Sequence, residues 1–138
     1  MTESLLLHDA SSTAAKLEAI RDLGVSVALD DFGTGYSSLA YLQKLPIDSL
    51  KIDRSFVSAI GEQTTVIRAI LSLAHSLGMK VVAEGVETIA QREFLLSIGC
   101  NEMQGFFFSK PAPPQDIEQL LRADQPLGGA LLPWAKSA

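Results

Sequence analysis

Val25-Ser26-Val27-Ala28-Leu29-Asp30-Asp31-Phe32-Gly33-Thr34-Gly35-Tyr36 passes from an apolar, β-branched run straight into two acids and a glycine loop. Strands buried on both faces of a parallel sheet read as short apolar runs, and charge cannot sit inside them unpaired. Val25 to Leu29 therefore predicts a buried strand, with Asp30 and Asp31 at its end. Two other stretches repeat the form. Leu50-Lys51-Ile52-Asp53 sets a base in a strand over Ser49 to Ile52, and Val81-Val82-Ala83-Glu84-Gly85-Val86-Glu87 sets an acid after a strand over Lys80 to Ala83. Ionisable groups on successive strand ends converge on one rim of a parallel sheet, where α/β folds keep their active sites.

Helical spacing fills the intervals. Ser11 or Ser12 can cap a helix through Leu17 and Ile20 to Leu23, with Gly24 closing it. Ser37 or Ser38 starts a short helix with Leu39, Leu42 and Leu45, stopped at Pro46. Val66, Ile67, Ile70, Leu71, Ala74 and Leu77 recur at helical spacing before Gly78. Thr88 to Gln91 reads as a capping box opening a helix through Phe94, Leu95 and Ile98 to Gly99. A weaker strand covers Cys100 to Gln104, and Pro113 or Pro114 begins a last helix with Ile117, Leu120 and Leu121 on one face.

Leu23-Gly24-Val25, Leu77-Gly78-Met79 and Ile98-Gly99-Cys100 are one phrase used three times: helix end, glycine turn, strand start. Strands alternating with helices imply an α/β fold with a parallel sheet and right-handed crossovers. Four strands make about half of a TIM-type (β/α) barrel, whose complete form needs roughly 250 residues. Residues 1–122 form one unit, and the Pro-, Gly- and Ala-rich residues 123–138 read as an irregular tail that Trp134 can dock.

Composition narrows the function. With 138 residues and 47% hydrophobic content the chain can bury a core. Eleven basic residues against 16 acidic ones give a net charge of −5, which argues against tracking a DNA or RNA polymer. An anionic ligand then needs a metal ion for its positive charge. The single cysteine, Cys100, excludes an internal disulfide and fits a reducing cytoplasm. The start of the chain lacks a basic signal-peptide region, and no window approaches the roughly 18 apolar residues of a membrane span.

Each candidate site residue carries two readings. Asp30 and Asp31 can face one pocket and bridge two hard metal ions about 4 Å apart, or one can cap the turn while the other is solvated. The glycines that follow favour close approach of backbone to ligand. Lys51 can point inward to meet carboxylates and orient a water, or outward from an edge strand; Asp53, two residues on, can be its partner. Glu84 calls for a metal, a lysine or a proton to take up. Glu87 is either functional or a favourable charge near a helix N-terminus. Gln104 can hydrogen-bond a ligand base or a neighbouring loop, while Phe106, Phe107 and Phe108 read as core packing rather than a stacking platform. His8 and His75 have no partners at metal-ligand spacing.

Taken together, Thr2-Glu3-Ser4, Asp30 through Leu39, Leu50-Lys-Ile-Asp-Arg-Ser-Phe56, Val82-Ala-Glu-Gly-Val-Glu87 and Gln104-Gly-Phe resemble the EAL domain family over residues 1 to about 122. That family comprises bacterial signal-transduction hydrolases, phosphodiesterases that open cyclic di-GMP to linear pGpG with two Mg2+ or Mn2+ ions. The resemblance implies metal-binding roles for Asp30 and Asp31, a water-contacting role for Lys51, and a metal-ligand or general-base role for Glu84. It implies that Glu3 and Glu87 steady the loop after Asp31, and that Phe32, Gly33, Thr34, Gly35 and Tyr36 belong to a dimerisation loop. The namesake Glu-Ala-Leu strand, an asparagine and a further acid, all metal ligands in the family, would lie before Met1. The expectation is a C-terminal half whose activity is impaired by the loss of those ligands. The alternative is a catalytically silent EAL module acting in binding or dimerisation.

Overall fold

A computed structural model describes residues 10–33, 42–62, 64–100 and 102–122. Four parallel strands, β1 (Ala28–Phe32), β2 (Ser49–Ile52), β3 (Lys80–Glu84) and β4 (Glu102–Gln104), lie side by side in chain order. Helices α1 (Ala10–Asp22), α2 (Arg54–Ser58), α3 (Thr64–Ser76), α4 (Ile89–Ser97) and α5 (Pro114–Arg122) complete the described elements. Parallel neighbours require crossovers, and a sheet that runs in sequence order is the pattern of a barrel wall.

Alternation along the strands separates two faces. Leu29, Leu50, Ile52, Val81 and Ala83 are buried. They share the core with Ile67, Ile70, Leu71 and Ala74 of α3, Val57 of α2 and Leu95 of α4. Leu29, Leu50 and Val81 stand in register, as do Ile52, Ala83 and Met103, so the apolar face is layered. On the opposite face Asp30, Ser49, Lys51, Val82 and Glu84 are half-buried.

Most of the expected elements form. The apolar spacing of α3, the Thr88–Gln91 capping box and the left-handed glycines Gly24, Gly78 and Gly99 after α1, α3 and α4 match the reading of the chain. The first strand differs: it begins at Ala28, not Val25, and takes both acids into itself. The Val27 N–H donates to the Asp48 carboxylate at 2.7 Å instead of joining the ladder, and Val25 is exposed. Ser11 and Ser12 lie inside α1, which already runs at Ala10. The short α2 was not expected; Asp53 caps it. Of the expected helix after Ser37 or Ser38, residues up to 41 fall outside the described residues, as does the 123–138 tail; its end is described, with Leu42 and Leu45 buried.

Candidate active site

Lys51 sits on β2, between β1 and β3, so its side chain can reach an acid on either neighbour. It does both. Its Nζ donates to Asp30 Oδ1 at 3.0 Å and ion-pairs with Glu84 Oε1. The three side chains are 26%, 36% and 22% exposed for Lys51, Asp30 and Glu84, so water screens the pairs only in part. The hydrogen bond it donates to Glu84 holds the Lys51 pKa above its ordinary 10.5; burial pulls it down, and Asp30 adds to the rise. An ammonium held this way is a donor of hydrogen bonds and positive charge near neutral pH, and it does not act as a base.

Asp30 owes its position to a break in register. β1 spends three residue steps from Leu29 to Phe32 where β2 spends two from Leu50 to Ile52. The extra residue is absorbed at Asp31, whose φ of 56° is the one positive value at a non-glycine among the described residues. Asp tolerates the left-handed region better than most side chains, and bulges re-aim side chains near active sites. Gly33 then turns the chain, with the Phe56 ring packed where a side chain would stand.

The next positions serve the loops. Asp53 does not join Lys51, because β2 ends at Ile52 and alternation no longer applies. Its carboxylate caps α2, accepting from the Ser55 N–H at 2.9 Å and from the Ser55 hydroxyl. Those bonds hold its pKa below the ordinary 3.8. Glu87 is exposed just before the capping box of α4, 3.9 Å from Arg54 Nη2, and its N–H donates to Gln91 Oε1. Gln104 stands in register with Glu84, which brings it to the same rim.

Two loops behind that rim are sewn together. The Val86 N–H donates to the Gln104 carbonyl at 3.0 Å, and the Phe107 N–H donates to the Val86 carbonyl at 2.9 Å. A Cβ on Gly105 would fall 2.1 Å from the Val86 carbonyl oxygen, so only glycine fits there. Phe107 and Phe108 meet edge to face and pack on the core, while Phe106 is exposed. Arg54, Asp48 and Gly105 escaped the reading of the sequence, since no periodicity marks a contact between two loops. Cys100 is buried, and burial raises its thiol pKa. Glu3, His8, Thr34, Gly35 and Tyr36 lie outside the described residues.

Asp30 and Glu84 offer hard carboxylate oxygens, the donor type that magnesium and manganese take. Among the described residues no three of His, Cys, Asp and Glu gather closely enough to hold an ion, so Asp31 is not drawn into a group with the other two. Lys51 supplies the positive charge between Asp30 and Glu84. The donor set fits part of a hard-cation site.

A parallel sheet in chain order, backed by helices and with charge gathered toward the C-terminal ends of its strands, is the architecture of an α/β-barrel wall. The EAL domain family profile matches residues 1–111, and the chain belongs to that family. It is 48% identical over 126 residues to the cyclic di-GMP phosphodiesterase NbdA of Pseudomonas aeruginosa, covering 89% of this chain and 16% of NbdA. The solved PaMucR phosphodiesterase in complex with c-di-GMP superposes with a TM-score of 0.80 at 45% identity, over 85% of this chain and 49% of that one. Klebsiella pneumoniae BlrP1, solved as a manganese and cyclic di-GMP complex, gives 0.71 at 36% identity, over 80% and 29% of the two chains. The chain thus spans a small part of a full-length relative and about half of a solved phosphodiesterase domain. Among the described residues no helix is long and apolar enough to cross a membrane.

Proposed function

We propose that this chain carries part of the catalytic rim of a cyclic di-GMP phosphodiesterase that yields linear pGpG. The observation that carries the proposal is the Lys51 ammonium held between Asp30 and Glu84 on neighbouring parallel strands. Membership of the EAL family and the named activity of NbdA support it. Asp30 and Glu84 are the residues that would hold Mg2+ or Mn2+, Asp31 joining them only if the bulge turns its carboxylate to the same rim, and the manganese complex of BlrP1 supports a divalent ion. Such ions supply Lewis-acid charge to a phosphodiester and make water more acidic. Lys51 orients the attacking water by donating to it, and Glu84 accepts the proton if it is not itself a ligand. Gln104 lies where it can touch substrate, while Glu3, Asp53 and Glu87 steady the surrounding loops. The single cysteine, Cys100, supports a cytoplasmic setting for this reaction.

The test is hydrolysis of cyclic di-GMP with Mg2+ or Mn2+ in a barrel completed by the N-terminal half of an EAL domain. Asp30→Ala is expected to lower the rate by at least about a hundredfold, the worth of one transition-state electrostatic contact. Undiminished turnover in that variant overturns the assignment. A second reading, a silent module that binds cyclic di-GMP or dimerises through the loop from Phe32 to Tyr36, is favoured by the absence of a three-acid group among the described residues. Nucleotide binding without hydrolysis, with a dimer on size-exclusion chromatography, would select it.

A further inference from the structure

The turn that follows Glu84 is braced from a different element. Gly85 has a φ of +72°, and a Cβ placed on it would fall 2.6 Å from Arg54 Cγ, 2.7 Å from Cβ and 3.0 Å from Cδ. The methylene stem of Arg54 therefore lies flat against the Gly85 backbone. Its guanidinium continues past the turn to within 3.9 Å of Glu87. Arg54 begins α2, whose Val57 is fully buried and whose cap is Asp53, so the stem springs from a fixed base. From below, Val86 is bonded to the loop after β4. Gly85 is thereby clamped between a side chain and a neighbouring loop, one residue beyond the carboxylate that meets Lys51.

We propose that Arg54 is a positioning residue for Glu84. Its stem seats the Gly85 turn, and its charge steadies the far side of that turn at Glu87. Arginine suits both tasks, because the apolar stem packs along backbone while the guanidinium stays in water. The role deepens the phosphodiesterase proposal, since Glu84 is the group whose placement matters there, but its primary test needs no turnover.

Amide hydrogen exchange of the full chain reads the brace. In Arg54→Ala the Val86 and Phe107 N–H groups are expected to exchange about fifteenfold faster, the worth of the two methylenes, Cγ and Cδ, withdrawn from contact. The N–H groups of Leu50 and Ala83, at the sheet centre, keep their wild-type rates. Arg54→Met retains a stem without charge and restores most of the slow exchange at Val86 and Phe107, short of wild type by the part owed to the Glu87 pair. Wild-type rates in the alanine variant overturn the proposal, as does acceleration spread evenly through the sheet. A methionine variant as fast as alanine overturns it too. In the completed barrel, Arg54→Ala is expected to lower kcat with KM unchanged, and Arg54→Met to recover it. If the unsubstituted protein does not hydrolyse cyclic di-GMP, the phosphodiesterase proposal fails while the exchange result still decides the brace.

Discussion

Lys51 has to neutralise two carboxylates from a half-buried position, and this fixes what its removal does. Lys51→Met leaves Asp30 and Glu84 facing each other with no charge between them. The stability loss falls between the roughly 1 kcal/mol ceiling of an exposed pair and the 3–5 kcal/mol of a broken buried one. Its pH dependence has a definite sign. Folding raises the Lys51 pKa, so the stabilisation is complete below the ordinary value of 10.5 and fades as pH climbs through the higher folded value. Urea unfolding of wild type and Lys51→Met is expected to differ by a constant amount from neutral pH to the alkaline edge, and to converge only above 10.5. Convergence at neutral pH would remove the ion pairs from the account. The trio was legible in the sequence, because a charge inside an apolar strand must find a partner. Asp53 was misplaced by extending the alternation of β2 one residue past its end at Ile52.

Between elements, backbone contacts replace side-chain pattern, and these hold the rim in shape. Gly105→Ala drives a methyl group into the Val86 backbone, which is itself bonded to Gln104 and Phe107. Overpacking of this kind costs about 1–3 kcal/mol, and calorimetry is expected to show a Tm lower by several degrees. An unchanged Tm would mean that the two loops are not locked together. Asp53→Ala removes the cap of α2 at a cost of about 0.5–2 kcal/mol. Folding lowers the pKa of Asp53, so its contribution is present above the ordinary 3.8 and is lost as pH falls through the lower folded value. The two proteins should therefore approach equal stability only in strong acid. Helices α3 and α4 could be read directly, since their apolar spacing and capping box are local signals. The start of β1 could not, because the Asp48 side chain, 21 positions away, takes the Val27 N–H.

At the scale of the molecule, one face of the sheet is packed by helices and the other carries half-buried polar residues. The parallel order was written in the repeated helix–glycine–strand phrase, whereas the number of metal donors depends on which side chains the bulge at Asp31 turns inward. A hard divalent ion takes about six oxygen ligands, and a site short of charged donors binds in the 10⁻⁴–10⁻³ M range or weaker. Asp30 and Glu84 are two such donors, and Lys51 already sits between them. Calorimetric titration of the chain with Mn2+ is therefore expected to give a Kd of roughly millimolar or weaker, with the heat abolished by Asp30→Ala. If the N-terminal half of an EAL barrel adds donors to the same rim, as the proposed function requires, the affinity should then rise by orders of magnitude together with cyclic di-GMP hydrolysis. Micromolar binding by the unaided chain would show that its own residues close a metal site, and the proposal that it carries only part of the rim would fall.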